Sequence, residues 1–340
     1  RFVWGQVGDL LEEEWCLVNA GRWPVLWAEV ADGSTLPDYP AGGVVAAGPG
    51  GTFRWRVSTI CRRRGVFTLG PWAVRTGDPF GLFSVTLRYE QAHRLIVVPT
   101  VMELPPLVLP RGVAAGGAVS RQPAPDLTLN VSGTRFYAPG DPLKRIHWPS
   151  TARHDMLISK TFDAEISGDL WIVLDLDAGV QVGRGEESTE EYGVTLAASL
   201  ADYVLRQHRA VGLVAYGGEE PYLVPGWGEG QLWRILHALA LVQPRERLPL
   251  AGVLEQVRPL LGRRATLAII TPSGDPAWVQ ALQPLVRGEP SAMAMLLDPA
   301  SFGGQGDVAA VRDMLAGMGI PAHLIAQGYP CLLYTSPSPR

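Results

Sequence analysis

Over the first 110 residues, apolar and polar positions alternate in short runs. In residues 52–57 every second side chain is apolar, which is the period of a strand with one buried face. Turn residues interrupt these runs at short intervals, as in the Gly-Pro-Gly-Gly sequence at 48–51. We therefore predict an all-β, sandwich-like domain at residues 1–110.

A different pattern begins after residue 168. The continuous apolar run at 170–176 is typical of a strand that is buried on both faces of a mainly parallel sheet. Ser188 and Glu191 then form a capping box, and apolar residues follow at helical spacing. Segments of strand and helix length alternate from there to residue 325. This alternation predicts a doubly wound α/β domain at residues 169–328.

Two segments lie between these patterns. Residues 111–132 are rich in Gly, Ala and Pro, which indicates a flexible linker or an exposed loop. Residues 133–168 contain turn chemistry at Pro139 and Gly140, followed by Asp141 and Pro142 in the order of a helix N-cap and first helical residue. We expect this second segment to join the two domains.

The joining segment mixes cationic, aromatic and acidic side chains. Buried guanidinium groups require carboxylate partners, so the mixture predicts a structural network of ion pairs. The alternative is a docking surface for an acidic partner. The residues assigned to this network are Arg135, Tyr137, Gly140, Asp141, Arg145, His147, Trp148, Arg153 and Glu165.

Composition limits the classes of function. The chain has 340 residues, 47% of them hydrophobic and 18% charged, which is typical of a globular protein of two domains. A net charge of −4 argues against nucleic acid as the main partner. Cys16, Cys61 and Cys331 have neither disulfide-framework nor zinc spacing, which favours a reducing compartment. No run of 18 apolar residues occurs, so the sequence contains no predicted membrane span.

Three consecutive arginines occur at residues 62–64 of the β region. We predict that they lie at a solvated strand end. The alternative is a weak patch for anionic lipid headgroups.

The joining segment resembles the signature of a bacterial family, domain of unknown function 58. The resemblance rests on Arg135-x-Tyr137-x-Pro-Gly140-Asp141-Pro-x-x-Arg145-Ile-His147-Trp148, then Thr-Ala-Arg153, then Glu165, with His147 where the family usually has Asp. A second match covers residues 64–71 and 78–83. The order of elements after residue 168, with one β-hairpin after the first helix, resembles a von Willebrand factor type A domain.

The resemblance implies a function and a location. Members of the family usually have two transmembrane helices just upstream and often neighbour a MoxR-type AAA+ ATPase. We therefore expect the chain to be the part outside the bilayer of a membrane-anchored protein, on the cytoplasmic side, that acts with this ATPase in assembling or remodelling other proteins. The chain starts at Arg1, inside a predicted strand, so we expect a bacterial metagenomic fragment without its anchor. Residues 329–340 resemble translated sequencing adapter, and we expect a non-native tail there.

The resemblance to type A domains also implies a metal edge. In those domains an Asp-x-Ser-x-Ser loop, a Thr and a further Asp bind a divalent cation. Here residues 175–179 read Asp-Leu-Asp-Ala-Gly, so both serines are absent. The remaining candidates for a weak Mg²⁺ site, with no cofactor required, are Asp175, Asp177, Ser273 and Asp275.

Catalytic motifs are scarce in the sequence. It contains no G-x-x-x-x-G-K-[ST], no H-E-x-x-H and no G-x-S-x-G, and we assign no catalytic residue. We therefore predict a non-enzymatic protein-interaction module. The alternatives are a metal-dependent hydrolase and a metal-dependent adhesion module, both of which would use the Asp175, Asp177 and Asp275 edge.

Overall fold

The computed structural model describes residues 3–40, 42–107, 131–136, 151–153, 156–162, 168–218, 220–245, 248–262, 265–286 and 291–328. The chain divides into two compact units. The larger unit combines Arg1–Val113 with Gly168–Arg340, and the smaller one is Ala114–Ser167. Among the described residues, no helix is long and apolar enough to cross a bilayer.

The first part of the larger unit consists of nine strands. They are β1 (Val3–Gln6), β2 (Leu10–Val18), β3 (Val25–Asp32), β4 (Gly43–Ala47), β5 (Thr52–Ile60), β6 (Gly65–Leu69), β7 (Trp72–Gly77), β8 (Ser84–Tyr89) and β9 (His93–Val98). They form a four-stranded sheet β4-β3-β7-β8, a pair β2-β5 and a three-stranded sheet β1-β9-β6. All pairings are antiparallel except that of β1 with β9, which is parallel. The many short strands agree with the all-β prediction.

The smaller unit contributes β10 (Val131–Phe136) and β11 (Ile158–Phe162), which pair antiparallel. Residues 151–153 are helical.

After residue 168, strands and helices alternate as the sequence pattern predicts. The strands are β12 (Leu170–Leu174), β13 (Gly183–Arg184), β14 (Glu187–Ser188), β15 (Val211–Val214), β16 (Tyr222–Gly226), β17 (Thr266–Thr271), β18 (Ser291–Leu297) and β19 (Ala322–Ile325). The helices are α1 (Thr189–Arg206), α2 (Gly228–Leu241), α3 (Leu250–Val257), α4 (Ala277–Val286) and α5 (Ala309–Gly317), and a 3₁₀ turn at Arg258–Leu260 follows α3. The predicted cap of α1 is confirmed, because the Ser188 side chain accepts a hydrogen bond from the Glu191 amide.

Six of these strands form one mixed sheet in the order β16-β15-β12-β17-β18-β19. Its pairings are parallel except that of β15 with β16, which is antiparallel. Helices cover both faces: Ile172 packs in the layer with α1 and α2, whereas Trp171 and Val173 pack in the layer with α3, α4 and α5. The coarse prediction of an α/β region with helices on both faces of a sheet is confirmed. In such a sheet, loops at the carboxyl ends of the strands are the usual position of a site.

Glycine at position 212 allows β15 to lie close to its neighbours. A Cβ atom there would lie 2.9 Å from the Trp171 ring and 3.0 Å from the Leu223 carbonyl oxygen. We expect Gly212→Ala to lower the free energy of unfolding by about 1–3 kcal/mol, because a methyl group in a filled core forces its neighbours to move.

The matched control for that change is Gly230→Ala in α2, where a Cβ meets no atom within 4 Å. Alanine raises helix propensity, so this variant should gain up to about 1 kcal/mol. Urea denaturation of both variants checks the prediction, and two changes of the same sign would contradict it.

The β region and the α/β region share one core within the larger unit. Ile96 and Val98 of β9 belong to the same buried cluster as the side chains of α1 and α2. Met102 donates its backbone N–H to Ser199 Oγ at 3.0 Å, and the Leu107 amide donates to Tyr203 Oη at 3.3 Å. The two regions are therefore held together by apolar packing and by hydrogen bonds.

Arg64 connects the two regions electrostatically. Its side chain is only 4% exposed, and its guanidinium group contacts Glu190 at 2.6 Å and also ion-pairs with Glu191. It donates further hydrogen bonds to the carbonyl oxygens of Leu239 and Val242, both at 2.9 Å, at the C-terminal end of α2. A cation is favourable there because the last carbonyls of a helix have no partner within the helix.

This geometry corrects the prediction for the arginine run. Arg62 and Arg63 are exposed, as expected, but the side chain of Arg64 is buried between the two regions. The prediction of a solvated strand end is therefore wrong for Arg64. Two carboxylates and two carbonyl oxygens at a helix end compensate for the loss of water around its charge.

Candidate functional site

The loops that follow β12 and β17 carry the polar residues of the candidate site. These strands are parallel neighbours, so Asp175 and Thr271 lie side by side at the same edge. The Asp175 backbone N–H donates to the Ile270 carbonyl oxygen at 2.9 Å, which continues the ladder by one residue. The expected metal edge combines residues of both loops, and the structure brings these two loops together.

Asp175 is a buried carboxyl group, with 3% of its surface exposed. One oxygen accepts from the Thr271 hydroxyl at 2.6 Å, and the other accepts from the Asp177 amide at 3.1 Å. Burial raises the pKa of Asp175 from 3.8 to about 6, although the two hydrogen bonds favour the charged form. Loss of water around the carboxylate therefore outweighs the donors that it has gained.

A chain of hydrogen bonds extends from this carboxyl group into the second loop. Thr271 Oγ1 accepts from the Ser273 amide at 2.9 Å, and Ser273 Oγ accepts from the Asp275 amide at 3.3 Å. The Ser273 carbonyl oxygen accepts from the Trp278 indole N–H at 3.3 Å. Ser273 is buried, so these bonds fix the loop rather than present its hydroxyl to solvent.

The other two carboxylates are used within their own loops. Asp177 Oδ1 accepts from the Gly179 amide at 3.0 Å, and Asp275 Oδ1 accepts from the Ala277 amide at 2.9 Å. Side chains of Asp commonly bond the amide two residues further on in this way, which stabilises a turn.

The predicted metal residues do not form a metal-binding group. Within the described ranges, no three side chains of His, Cys, Asp or Glu lie close enough together to hold a metal ion. Mg²⁺ takes six oxygen ligands, of which one or two are usually carboxylates of the protein and several are water. Asp175 instead has a raised pKa and two protein donors, and Ser273 is committed to its loop. In the described part of the chain, the polar groups of this edge are thus bonded within the loops, and the weak Mg²⁺ site stays a prediction.

Further contacts join the neighbouring loops at the same edge. The Arg245 amide donates to the Leu176 carbonyl oxygen, and the Ala178 amide donates to the Arg245 carbonyl oxygen, both at 2.9 Å. Gln181 Nε2 donates to the Asp175 carbonyl oxygen at 2.9 Å and Gln181 Oε1 accepts from the Thr189 hydroxyl at 2.7 Å. Sequence reasoning missed Gln181, Thr189 and Arg245, because nothing in their local pattern indicates which loop they contact.

A cleft of about 320 Å³ lies between β16 and α2. Its described lining includes Glu220, Trp233, Arg234 and His237. An acid and a base are thus present, but no Ser, Thr or Cys is among these described lining residues to act as a nucleophile.

The signature residues of the joining segment fall mainly outside the described ranges. Arg135 lies in β10 opposite Ser159 of β11, and Arg153 is exposed next to Ala152 in the short helical stretch. The remaining predicted members of the ion-pair network, all outside the described residues, are Tyr137, Gly140, Asp141, Arg145, His147, Trp148 and Glu165. The network stays a prediction.

Comparisons with known proteins agree with the sequence signature. A family model described as "Protein of unknown function DUF58" matches residues 133–300. The uncharacterized protein YeaD of Bacillus subtilis (strain 168) is 27% identical over 168 residues, which are 49% of this chain and 40% of that protein. This chain thus spans two fifths of the length of that relative.

Among solved structures, the ASH / PapD-like domain of human CEP192 (PapD-like domain 7) is similar to part of this chain. The match covers 29% of this chain and 82% of the CEP192 chain. The two are 16% identical, and the TM-score is 0.21.

Proposed function

Because residues 133–300 place the chain in the DUF58 family, we propose that it is a non-enzymatic protein-interaction module. In this proposal the α/β region is a von Willebrand factor type A-like domain that a MoxR-type AAA+ ATPase engages. The two proteins act together in assembling or remodelling other proteins. The strand order β16-β15-β12-β17-β18-β19, with one antiparallel edge strand, supports the type A-like assignment.

One observation carries the non-enzymatic part of the proposal. At the carboxyl edge, the polar groups of the β12 and β17 loops are bonded to each other, as in the contact of Asp175 with Thr271. A reaction centre needs a free nucleophile, acid or base that converges on open space. The edge is better suited to present a fixed surface to another protein.

The exposed charges at this edge indicate what kind of surface the partner would present. Glu220, Asp275 and Asp307 are exposed in the segments that follow β15, β17 and β18. Charged rims act mainly on the rate and specificity of association. We expect the contacting surface of the ATPase to be basic.

The binding experiment compares the parent chain with two charge-reversal variants. Glu220→Arg should weaken binding to a purified MoxR-type ATPase about tenfold, since a reversed rim charge opposes a basic surface. Glu255→Arg, at an exposed position of α3, is the matched control and should bind as the parent does. Biolayer interferometry at two salt concentrations measures both. No binding of the parent chain would refute the proposal.

A further variant tests the joining segment. If the ion-pair network is also a docking surface, Arg145→Glu abolishes binding to the ATPase, whereas retained binding limits the segment to a structural role.

The metal-dependent alternatives have a separate test. Calorimetric titration of the chain with Mg²⁺ and Mn²⁺ should give no binding heat, because the carboxylates at the edge are already bonded to protein donors. A binding heat that disappears in Asp175→Ala would instead support a hydrolase or an adhesion module.

Membrane association is also part of the proposal. The family resemblance supports an anchor upstream of residue 1, with the described regions on the cytoplasmic side, where the ATPase is found. Fractionation of the full-length protein, followed by protease treatment of intact cells, tests the position and the side.

A further inference from the structure

Strand β8 is an edge with no hydrogen-bonded neighbour on its outer side among the described residues. It ends the sheet order β4-β3-β7-β8, and all six of its residues are exposed. Proteins normally shield such an edge with charges, proline or a covering element, because it can pair with another chain. β8 carries a single charge, Arg88, and no proline.

The loop before β8 is fixed in place and apolar at its tip. The Asp78 carboxylate accepts from the amides of Phe80 and Phe83 at 2.9 and 2.5 Å, and these backbone bonds hold its pKa below the usual range. The Asp78 amide also donates to the Phe83 carbonyl oxygen at 3.1 Å. This turn leaves Phe80 87% exposed, with Leu82 and Phe83 exposed beside it. The hydrogen-bonded turn thus keeps these apolar side chains exposed to solvent.

Alternate residues of β8 extend the apolar inner face of the sheet. Val85, Leu87 and Tyr89 lie opposite Thr76, Val74 and Trp72 of β7. On β3, the next residues of this face, Ala28 and Val30, are buried. The apolar face thus continues past the covered part of the sheet and ends at an open edge.

The hydrogen bonding of the turn determines which backbone groups of β8 point away from β7. Asp78 and Phe83 form a hydrogen-bonded pair, since the Asp78 amide donates to Phe83. Hydrogen-bonded and non-bonded pairs alternate in an antiparallel ladder. Val85, Leu87 and Tyr89 therefore bond to β7, and the N–H and C=O groups of Ser84, Thr86 and Arg88 point away from the sheet.

We propose that β8 pairs antiparallel with β8 of a second copy of this chain, about a two-fold axis at Thr86. Thr86 then lies opposite Thr86 of the second copy, and Ser84 lies opposite Arg88. Each of these pairs exchanges two backbone hydrogen bonds through groups that already point outwards. A two-fold interface requires that one surface be complementary to itself, and β8 meets this condition.

The side chains fit the same register. On the inner face, Val85 lies opposite Leu87 of the second copy, and Phe83 lies opposite Tyr89, so each exposed apolar side chain meets another. On the outer face, Arg88 lies opposite Ser84, and no like charges oppose each other. The next register places Ser84 opposite Glu90, which lies beyond the strand, and leaves two hydrogen-bonded pairs within the strands instead of three.

The size of the contact sets the expected strength. A strand of six residues is about 20 Å long, and pairing of two such edges with their tips buries an area at the low end for specific interfaces. The dimer should therefore be weak, with a dissociation constant on the order of micromolar or above. Assembly would then depend on a high local concentration of the chain.

Sedimentation velocity across a wide range of concentration measures this association. The parent chain should shift towards the dimer as its concentration rises. Leu87→Lys should remain monomeric, because a charge on the apolar face opposes edge pairing. The matched control is Leu10→Lys in β2, which replaces a leucine that is 58% exposed, compared with 51% for Leu87, and should dimerise like the parent. Circular dichroism of both variants checks that they are folded.

A cysteine variant tests the register. Cys16→Ser and Cys331→Ser form the background, to which Thr86→Cys or Ser84→Cys is added. Residues in a hydrogen-bonded pair have Cα atoms about 5.5 Å apart, which a disulfide can span. Mild oxidation should link Thr86→Cys to its copy rapidly. Ser84→Cys should link slowly, since it faces Arg88.

Two results would overturn the proposal. A parent chain that stays monomeric at every concentration excludes the second copy, and flotation of such a monomer with lipid vesicles would assign the apolar edge to a membrane surface instead. A dimer in which Thr86→Cys links no faster than Ser84→Cys would show that β8 does not pair about Thr86.

Discussion

Replacing Arg64 by alanine is expected to lower the free energy of unfolding by about 3–5 kcal/mol. The change leaves Glu190 and Glu191 partly buried without their cation, and it removes two donors from the carbonyl oxygens at the end of α2. Burial already raises the pKa of Glu191 and opposes its charge even with Arg64 present. Chemical denaturation at neutral pH, followed by tryptophan fluorescence, measures the loss.

Two further variants identify the origin of this effect. Arg62→Ala removes an exposed charge two residues away and should change stability by no more than about 0.5 kcal/mol. Adding Glu191→Gln to Arg64→Ala should recover part of the loss, because it removes a carboxylate without a partner. Equal losses in Arg62→Ala and Arg64→Ala would contradict the assignment of Arg64 as the link between the two regions.

Arg64→Lys separates charge from geometry. Lysine keeps the positive charge but lacks the fork of donors that reaches two carboxylates and two carbonyl oxygens together. An intermediate loss of stability is expected. A loss equal to that of alanine would mean that the hydrogen bonds, rather than the charge, account for the stability.

The buried position of Arg64 could not be predicted from the sequence, for a physical reason. Three adjacent arginines have the same local pattern, and only packing decides which one leaves water. The partners Glu190 and Leu239 lie more than 100 residues away along the chain. By contrast, the strands and helices after residue 168 follow from local periodicity, and their order agrees closely with the prediction.

The carboxyl edge was predictable in part. Parallel strands end at one edge, so the proximity of Asp175 to Thr271 follows from the sheet alone. That Asp177 and Asp275 bond to their own loops could also have been read from the sequence, since Asp-Ala-Gly and Asp-Pro-Ala are turn segments in which Asp accepts from the amide two residues on. The tertiary contacts of Gln181 and Arg245 could not, because they depend on which loops are adjacent.

The buried carboxyl group of Asp175 should make stability depend on pH. Its pKa rises from 3.8 to about 6 on folding, so between these values the folded state holds a proton that the unfolded state has released. The contribution of Asp175 to the free energy of unfolding is therefore fully present below about pH 4 and is lost as the pH rises through 6. The shift corresponds to about 3 kcal/mol between these limits.

Asp175→Asn is expected to remove this dependence. The asparagine carbonyl can accept from the Asp177 amide, and its amide nitrogen can donate to Thr271 Oγ1, while the side chain stays neutral at every pH. The variant should match the parent near pH 4 and exceed it by up to about 3 kcal/mol at pH 8. Denaturation curves at several pH values between 4 and 8 measure the difference.

The matched control for this substitution is Asp275→Asn, at an exposed carboxylate of the same edge. Asp175 is unchanged in the control. The loss of its contribution to folding stability between pH 4 and 6 should therefore persist. If the difference between Asp175→Asn and the parent were the same at every pH, the carboxyl group would not change its protonation on folding. A gain that grows with pH would show that the folded protein pays to ionise Asp175, because burial opposes its charged form.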